Sequence, residues 1–201
     1  MRAGTPSAEP GPRGTPFAPR GTSSVSKMDN GDGTTTTSAQ DFVDALAEPA
    51  VVFDRYLDVV AANRLAGAVS ASLTVGTNLA RFTFLNPHVE DSVAGWEAEA
   101  HRTAATFRDS LEQHEADTRF RQLLGELMAR SPAFASEWAA GADRPAHRGV
   151  TTFDNPLVGR VLLRWEQFRR QEDPEHVLVV WTAADDDAAA HLDALRAVLS
   201  R

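Results

Sequence analysis

The sequence has no cysteine and only one lysine, Lys27. Without cysteine there is no disulfide, no thiolate nucleophile and no cysteine metal site. This composition suits a reducing compartment, so we expect a cytoplasmic protein. Asp and Glu outnumber Lys and Arg by 28 to 20, and the formal net charge is -8. Binding to phosphates needs clustered cations, so we expect no direct contact with nucleic acid.

Long apolar runs and catalytic motifs are also missing. No stretch of about 18 apolar residues is present, so we expect no membrane-spanning helix. The glycines form no phosphate-binding loop, no serine stands in a GxSxG motif, and the six histidines lack metal-site spacing. We therefore expect no enzyme, no metal and no cofactor, and we expect His101 and His114 to be solvated. Four glutamates are interpreted as charges on solvent faces: Glu97, Glu99, Glu112 and Glu115.

The first 39 residues differ from the rest in composition. They are rich in Pro, Gly, Ser and Thr and hold few large apolar side chains. Such a segment cannot bury enough apolar surface to offset the entropy of ordering, so residues 1–39 are predicted to be a disordered tail. Met1 and Met28 are both candidate start sites. Residues 40–201 are then predicted to form one domain.

Alternating apolar residues, such as Val161, Leu163 and Trp165, predict strands on both sides of a helical region. A turn at 54–56 joins the first two strands, and Asn63 is expected to cap a short helix after them. The nearly all-apolar run 177–182 indicates a central strand. The five predicted strands are 49–53, 57–61, 149–153, 160–168 and 177–182. The predicted fold class is α+β, a PAS-like antiparallel sheet of about five strands covered by helices, with a three-helix insert between the second and third strands.

The insert is predicted to consist of three consecutive helices. Asn86 is expected to cap the first, a helix with an apolar stripe that runs from Val89 to Leu111. Asp117 is expected to open the second, and Ser131 with Pro132 to begin the third. One face of the second helix is predicted to hold Phe120, Leu123, Leu124, Leu127 and Met128.

The large side chains of this insert have two interpretations. They either close a compact core or line an apolar pocket, which would need concave volume with few polar anchors. Arg108 either pairs with a ligand carboxylate or forms a salt bridge to a nearby Asp or Glu. The predicted ligand-binding residues are Trp96, Phe107, Arg108, Leu111, Phe120, Leu123, Leu127, Phe134 and Trp138.

Six segments, taken in order, carry a resemblance to a known family. They are EPAVVFDRYLDVVAANRLA (48–66), NLARFTFLNP (78–87), WEAEAHRTAATFR (96–108), LLGELMARSPAFASEWA (123–139), NPLVGRVLLRWEQF (155–168) and HVLVVWTA (176–183). Together they resemble the ligand-binding domain of MmyB-like transcription regulators. The resemblance covers nearly all of residues 41–199. No single segment is specific, but the set in this order is.

The resemblance implies a PAS-like fold that binds a small apolar molecule, with fatty acids as the best candidates. Family members normally carry a helix-turn-helix domain before this region, whereas residues 1–40 are too short and too polar to supply one. We therefore predict a sensor that acts through a regulatory protein partner or a homodimer, not on DNA or at a membrane. The alternative is a ligand-free interaction or dimerisation module derived from such a regulator. The family's usual His-Pro before the Val-Gly turn is Asn155-Pro156 here.

Overall fold

The structure is a computed structural model that describes residues 39–86, 89, 95–114, 117–141, 145–171 and 173–201. The predicted disordered tail lies outside the described residues except for Ala39, which is helical. Five strands form one sheet: β1 Ala50–Asp54, β2 Val59–Ala62, β3 Arg148–Asn155, β4 Gly159–Arg170 and β5 Asp173–Ala183. The strand order is β2-β1-β5-β4-β3 and every neighbouring pair is antiparallel. The predicted α+β, PAS-like sheet is confirmed, with the apolar strand β5 at its centre.

Seven α-helices lie among the described residues. Residues 39–44 form α1 before the sheet, and α7 (Asp186–Leu199) follows it. The other five α-helices and a short 3-10 helix, Ala71–Leu73, follow β2 and precede β3 in the chain. They are α2 Arg64–Val69, α3 Leu79–Leu85, α4 Trp96–Gln113, α5 Thr118–Arg130 and α6 Pro132–Ala140.

The predicted helix caps are confirmed at three starts. Asn63 accepts a hydrogen bond from the Ala66 backbone N–H at the start of α2. Asp117 accepts from Phe120 N at the start of α5, and the Ser131 hydroxyl oxygen accepts from the N–H three residues on in α6. Each side chain satisfies a backbone donor that has no partner within the first turn of its helix.

The predicted start of the long helix is wrong. Asn86 is the C-terminal cap residue of α3, and α4 begins only at Trp96. Gly95, immediately before it, has φ 85°, a left-handed conformation that interrupts a right-handed helix and that glycine adopts without steric cost. The predicted stripe from Val89 to Leu111 therefore does not lie on one continuous helix.

Buried apolar side chains form three groups. The sheet core joins the inner face of the sheet to α2, the 3-10 helix and α7, and includes Val51, Leu163 and Leu192. The helical core joins α3 to α6 and includes Phe107, Phe120, Leu127 and Phe134. On the outer face of the sheet, Val43 of α1 packs against β1 and β2. Helices therefore contact both faces of the sheet.

One residue predicted for the buried face of α5 lies outside it. Phe120, Leu123 and Leu127 are buried, and Leu124 is half-buried. Met128 is 43% exposed. At 100° per residue it stands at the edge of the stripe that the other four define, so it turns toward solvent.

Candidate functional site

A cavity of about 790 Å³ lies between the inner face of the sheet and the helices. Its volume is within the range of small-molecule sites. The sheet contributes large apolar side chains from β1, β3, β4 and β5, and α2, the 3-10 helix and α3 supply further apolar groups. Its apolar lining includes Phe53, Leu57, Val69, Leu73, Leu79, Phe82, Val150, Phe153, Trp165, Val177, Val179 and Trp181.

Helix α4 separates the cavity from the helical core. Ala100, Ala104 and Phe107 recur every three or four residues and pack into the helical core. Another set of small, polar or charged side chains lines the cavity from the same helix, namely Glu99, Arg102, Thr103, Ala105, Thr106 and Ser110. Both faces of α4 therefore lie inside the protein: one packs against the helical core, and the other borders the cavity.

The nine predicted ligand-binding residues lie together, but none of them lines this cavity. Phe107, Phe120, Leu123, Leu127 and Phe134 are buried in the helical core. Partly buried side chains pack against the core at three further positions, Trp96, Leu111 and Trp138. Their contact with a ligand stays a prediction.

The aromatic rings of the helical core are closely packed. Phe107 stacks on Phe120 with ring centroids 4.9 Å apart, and Phe134 stacks on Trp138 at 5.5 Å. Phe107 and Trp138 also meet at 6.0 Å. Trp96 is held at the edge, where its indole N–H donates to Thr83 O at 3.1 Å. Rings at these separations are in direct contact with one another.

Of the two predicted roles of Arg108, the salt bridge is absent among the described residues, and pairing with a ligand carboxylate stays a prediction. Its guanidinium donates to the backbone carbonyl of Trp138 and lies 4.3 Å from the centre of that indole ring. No carboxylate of the described part of the chain pairs with it, and it does not line the cavity. A cation–π contact and a carbonyl acceptor hold this side chain against α6.

A polar group lines the cavity near the C-terminal end of α4. The Ser110 hydroxyl donates to Arg55 O at 2.6 Å, and His114 Nδ1 donates to Ser110 O at 2.9 Å. His114 Nε2 lies 3.4 Å from Glu175, which is also 3.4 Å from Arg55 Nε. The predicted solvation of His114 is wrong, because only 10% of its side chain is exposed.

Arg55 connects this group to the β1–β2 turn. It donates to Asp117 Oδ2 at 2.6 Å, and the Tyr56 hydroxyl donates to the same oxygen. The Tyr56 hydroxyl, then the Phe120 backbone N–H and Arg55, hold the pKa of Asp117 at about 2. Desolvation and the neighbouring carboxylate raise the pKa of Tyr56. The turn is thereby fixed to the start of α5.

Arg102 lies in the cavity wall with its charge already paired. It forms an ion pair with Glu99 one turn earlier in α4 and donates to Thr151 Oγ1 of β3 at 3.0 Å. Its guanidinium carbon is 6.0 Å from the centre of the Trp165 ring. Glu99 lines the cavity as well, so its predicted place on a solvent face is wrong.

Two polar atoms in the cavity wall have no hydrogen-bond partner. Thr103 Oγ1 and Trp165 Nε1 are buried, and their residues are 2% and 8% exposed. Trp165 lies directly over Gly149 of β3, where an added Cβ would be 2.9 Å from the indole Cζ2. Glycine at this position therefore allows the indole to lie flat against β3.

The sequence contained a partial signal for this cavity. The alternation of Val161, Leu163 and Trp165 correctly predicted one face of β4, and Trp165 of that face lines the cavity. The small polar residues Thr103, Thr106 and Ser110 of α4 gave no such signal, because hydroxyl side chains on a helix are typical of a solvent-facing surface.

Asn155, the residue at the usual histidine position, has a structural role. It is buried at the end of β3, and its amide donates to Ala68 O at 2.7 Å and Val69 O at 3.0 Å. Its side-chain oxygen accepts from Leu157 N at 3.0 Å. It therefore ties the β3–β4 turn to the end of α2 at the rim of the cavity.

Comparison with known proteins agrees with this architecture. No curated protein matches the chain significantly. Each helix in the described ranges is too short or too polar to cross a membrane. The family described as MmyB-like transcription regulator ligand binding domain matches residues 36–195, most of the chain. The chain therefore belongs to the family of MmyB-like transcription regulator ligand-binding domains.

Proposed function

We propose that this domain binds a small apolar molecule, a fatty acid or a compound of similar chemistry, in the cavity between the sheet and α4. The observation that carries the proposal is the cavity of about 790 Å³ with aromatic and aliphatic walls. Burial of apolar ligand surface in such a volume is favourable at roughly 25 cal/mol per Å². Membership of a ligand-binding family supports the same reading.

Binding would be reported through a protein partner or a second copy of the chain, without direct contact with DNA. The net charge of -8 supports this part of the proposal, because a field of this sign repels phosphate. The role proposed is binding rather than catalysis. The cavity walls meet α2, α3 and α4, so a ligand that fills the cavity would hold these helices to the sheet.

The test begins with protein purified without added lipid. Organic extraction and mass spectrometry are expected to identify an apolar molecule in stoichiometric amount. After its removal, an added ligand at 100 times its Kd is expected to stabilise the domain by about 2.7 kcal/mol. That corresponds to a rise of about 5–11 °C in unfolding temperature.

A matched variant separates cavity binding from nonspecific surface binding. Ala105→Phe places a ring in the cavity wall and is expected to abolish both the extracted molecule and the thermal shift. An empty extract together with no thermal shift would contradict the proposal. A ligand-free dimer in sedimentation would then favour the interaction module.

A further inference from the structure

One carboxylate in the cavity wall is held only loosely between two donors. Glu175 Oε2 lies 3.4 Å from Arg55 Nε, and Glu175 Oε1 lies 3.4 Å from His114 Nε2. All three residues line the cavity. Both distances exceed the roughly 2.7–2.9 Å of a strong charge-assisted hydrogen bond. The Glu175 side chain is 48% exposed, so water competes with both donors and the pairing is weak.

A second carboxylate of the wall is more firmly held. Arg102 and Glu99 form an ion pair within α4, and their side chains are only 28% and 27% exposed. A ligand anion at Arg102 would leave Glu99 in the wall without its partner, which is costly. At Arg55 the exchange costs less, because a displaced Glu175 can turn into water. Arg55 also keeps its 2.6 Å ion pair with Asp117, which uses Nη2 and not Nε.

The strand that carries Glu175 also supplies an apolar surface. Alternate residues of a strand share one face of the sheet. Four alternate residues of β5 line the cavity, namely Glu175, Val177, Val179 and Trp181. The six steps between the first and the last of them extend about 20 Å. A carboxylate in the position of Glu175 can therefore continue into an apolar chain that lies along the same face of β5.

We propose that the carboxylate of a fatty acid takes the place of Glu175 between Arg55 Nε and His114 Nε2, with its chain along β5. This inference rests on the proposed function and assigns the ligand's head group to one end of the cavity. Replacing one carboxylate by another leaves the charge beside Arg55 unchanged. His114 Nε2 donates when its ring is protonated, because Nδ1 already donates to Ser110 O. Glu175 thus competes with the ligand and limits its affinity.

The decisive variant is Glu175→Gln, which removes the competing charge and keeps the shape of the side chain. The delipidated full chain is titrated calorimetrically with dodecanoate and with 1-dodecanol, which has the same chain length and no charge. The ratio of the dodecanoate affinity to the 1-dodecanol affinity is expected to rise about two- to fivefold in the variant. Misfolding cannot produce such a gain. An unchanged or lower ratio would overturn the inference.

The variant Arg55→Gln tests the proposed donor. It removes the guanidinium, so the same affinity ratio is expected to fall about five- to tenfold. Because this change also breaks the ion pair with Asp117, circular dichroism and thermal unfolding check that the variant is folded. An unchanged ratio in the folded variant would overturn the assignment of Arg55. If the variant does not fold, the result for Glu175→Gln decides the question.

Two further glutamate variants separate this site from the rest of the charge distribution. Glu126 pairs with two arginines outside the cavity, so Glu126→Gln makes the same change in net charge and is expected to leave the ratio unchanged. Glu99→Gln frees Arg102 instead. A rise in the ratio for Glu99→Gln without one for Glu175→Gln would place the head group at Arg102 and overturn the inference. An equal rise in all three variants would show a nonspecific effect of net charge and would also overturn it.

The outcomes distinguish the head-group site from the proposed function. If neither dodecanoate nor 1-dodecanol binds the unmodified chain, the apolar-ligand function itself fails. If both bind and Glu175→Gln leaves the ratio of their affinities unchanged, the cavity binds apolar chains and only the head-group inference fails.

Discussion

Two neighbouring alanines of α4 have different surroundings, and the same substitution at each separates core from cavity. Ala104 packs in the helical core with Phe107, whereas Ala105 lines the cavity. In Ala104→Phe, a new ring must fit among aromatic side chains whose centroids are already 4.9–6.3 Å apart. Overpacking of this kind costs about 1–3 kcal/mol, which lowers the unfolding temperature by about 2–12 °C.

The matched variant Ala105→Phe is expected to behave differently. Its ring enters open volume, so the unfolding temperature of the ligand-free protein should stay within about 2 °C of the parent. Ligand binding should be lost because the ring occupies the cavity. Thermal unfolding of delipidated protein, followed by titration with the fatty acid dodecanoate, measures both properties on the same samples.

The reverse pattern would refute this reasoning. If Ala104→Phe keeps its unfolding temperature and loses ligand, the aromatic stripe lines the binding site. If Ala105→Phe is strongly destabilised and Ala104→Phe is not, the open volume lies on the other face of α4.

Three further predictions follow from the contacts and charges. The Asn63 side chain donates to the carbonyls of residues 43, 46 and 48 and accepts from two backbone N–H groups. Asn63→Ala should therefore lower the free energy of unfolding, measured in urea, by about 3 kcal/mol or more, and a decrease under about 1 kcal/mol would show that Asn63 acts only as a helix cap. The pKa of Asp117 falls from 3.8 to about 2 on folding, so the stability that this carboxylate contributes is present above pH 3.8 and is lost as the pH falls toward 2. The variant Asp117→Asn should lack this acid-dependent loss, and profiles of unfolding free energy against pH that run parallel in the parent and the variant would contradict the assignment. Finally, the purified chain should not shift duplex DNA at micromolar protein and physiological salt, and a shift that weakens as salt rises would disprove this expectation.

Most of the fold was predictable because its signals are local. The β4 alternation at Val161, Leu163 and Trp165 matches the inward face of that strand, and the caps at Asp117 and Ser131 are single-residue signals of helix starts. The predicted helix start at Asn86 is wrong because the apolar spacing continues across Gly95, whereas the left-handed backbone conformation of that glycine interrupts a regular helix. Periodicity alone does not report such a break.

The site was harder to predict because it depends on which face of α4 meets the sheet. Both faces of this helix are buried, and the aromatic face gives the stronger sequence signal although it is packed against α5 and α6. The face with Thr103 and Ser110 resembles a solvated surface in sequence. Only the tertiary placement of β3 and β4 opposite this face shows that it borders a cavity.

The most direct test of the account is a crystal structure of the full chain soaked or co-crystallised with the fatty acid dodecanoate. The account predicts ligand density between α4 and strands β3 to β5, against the aromatic and aliphatic walls of the cavity. Density inserted among Phe107, Phe134 and Trp138, or a cavity without ligand at saturating concentration, would contradict it.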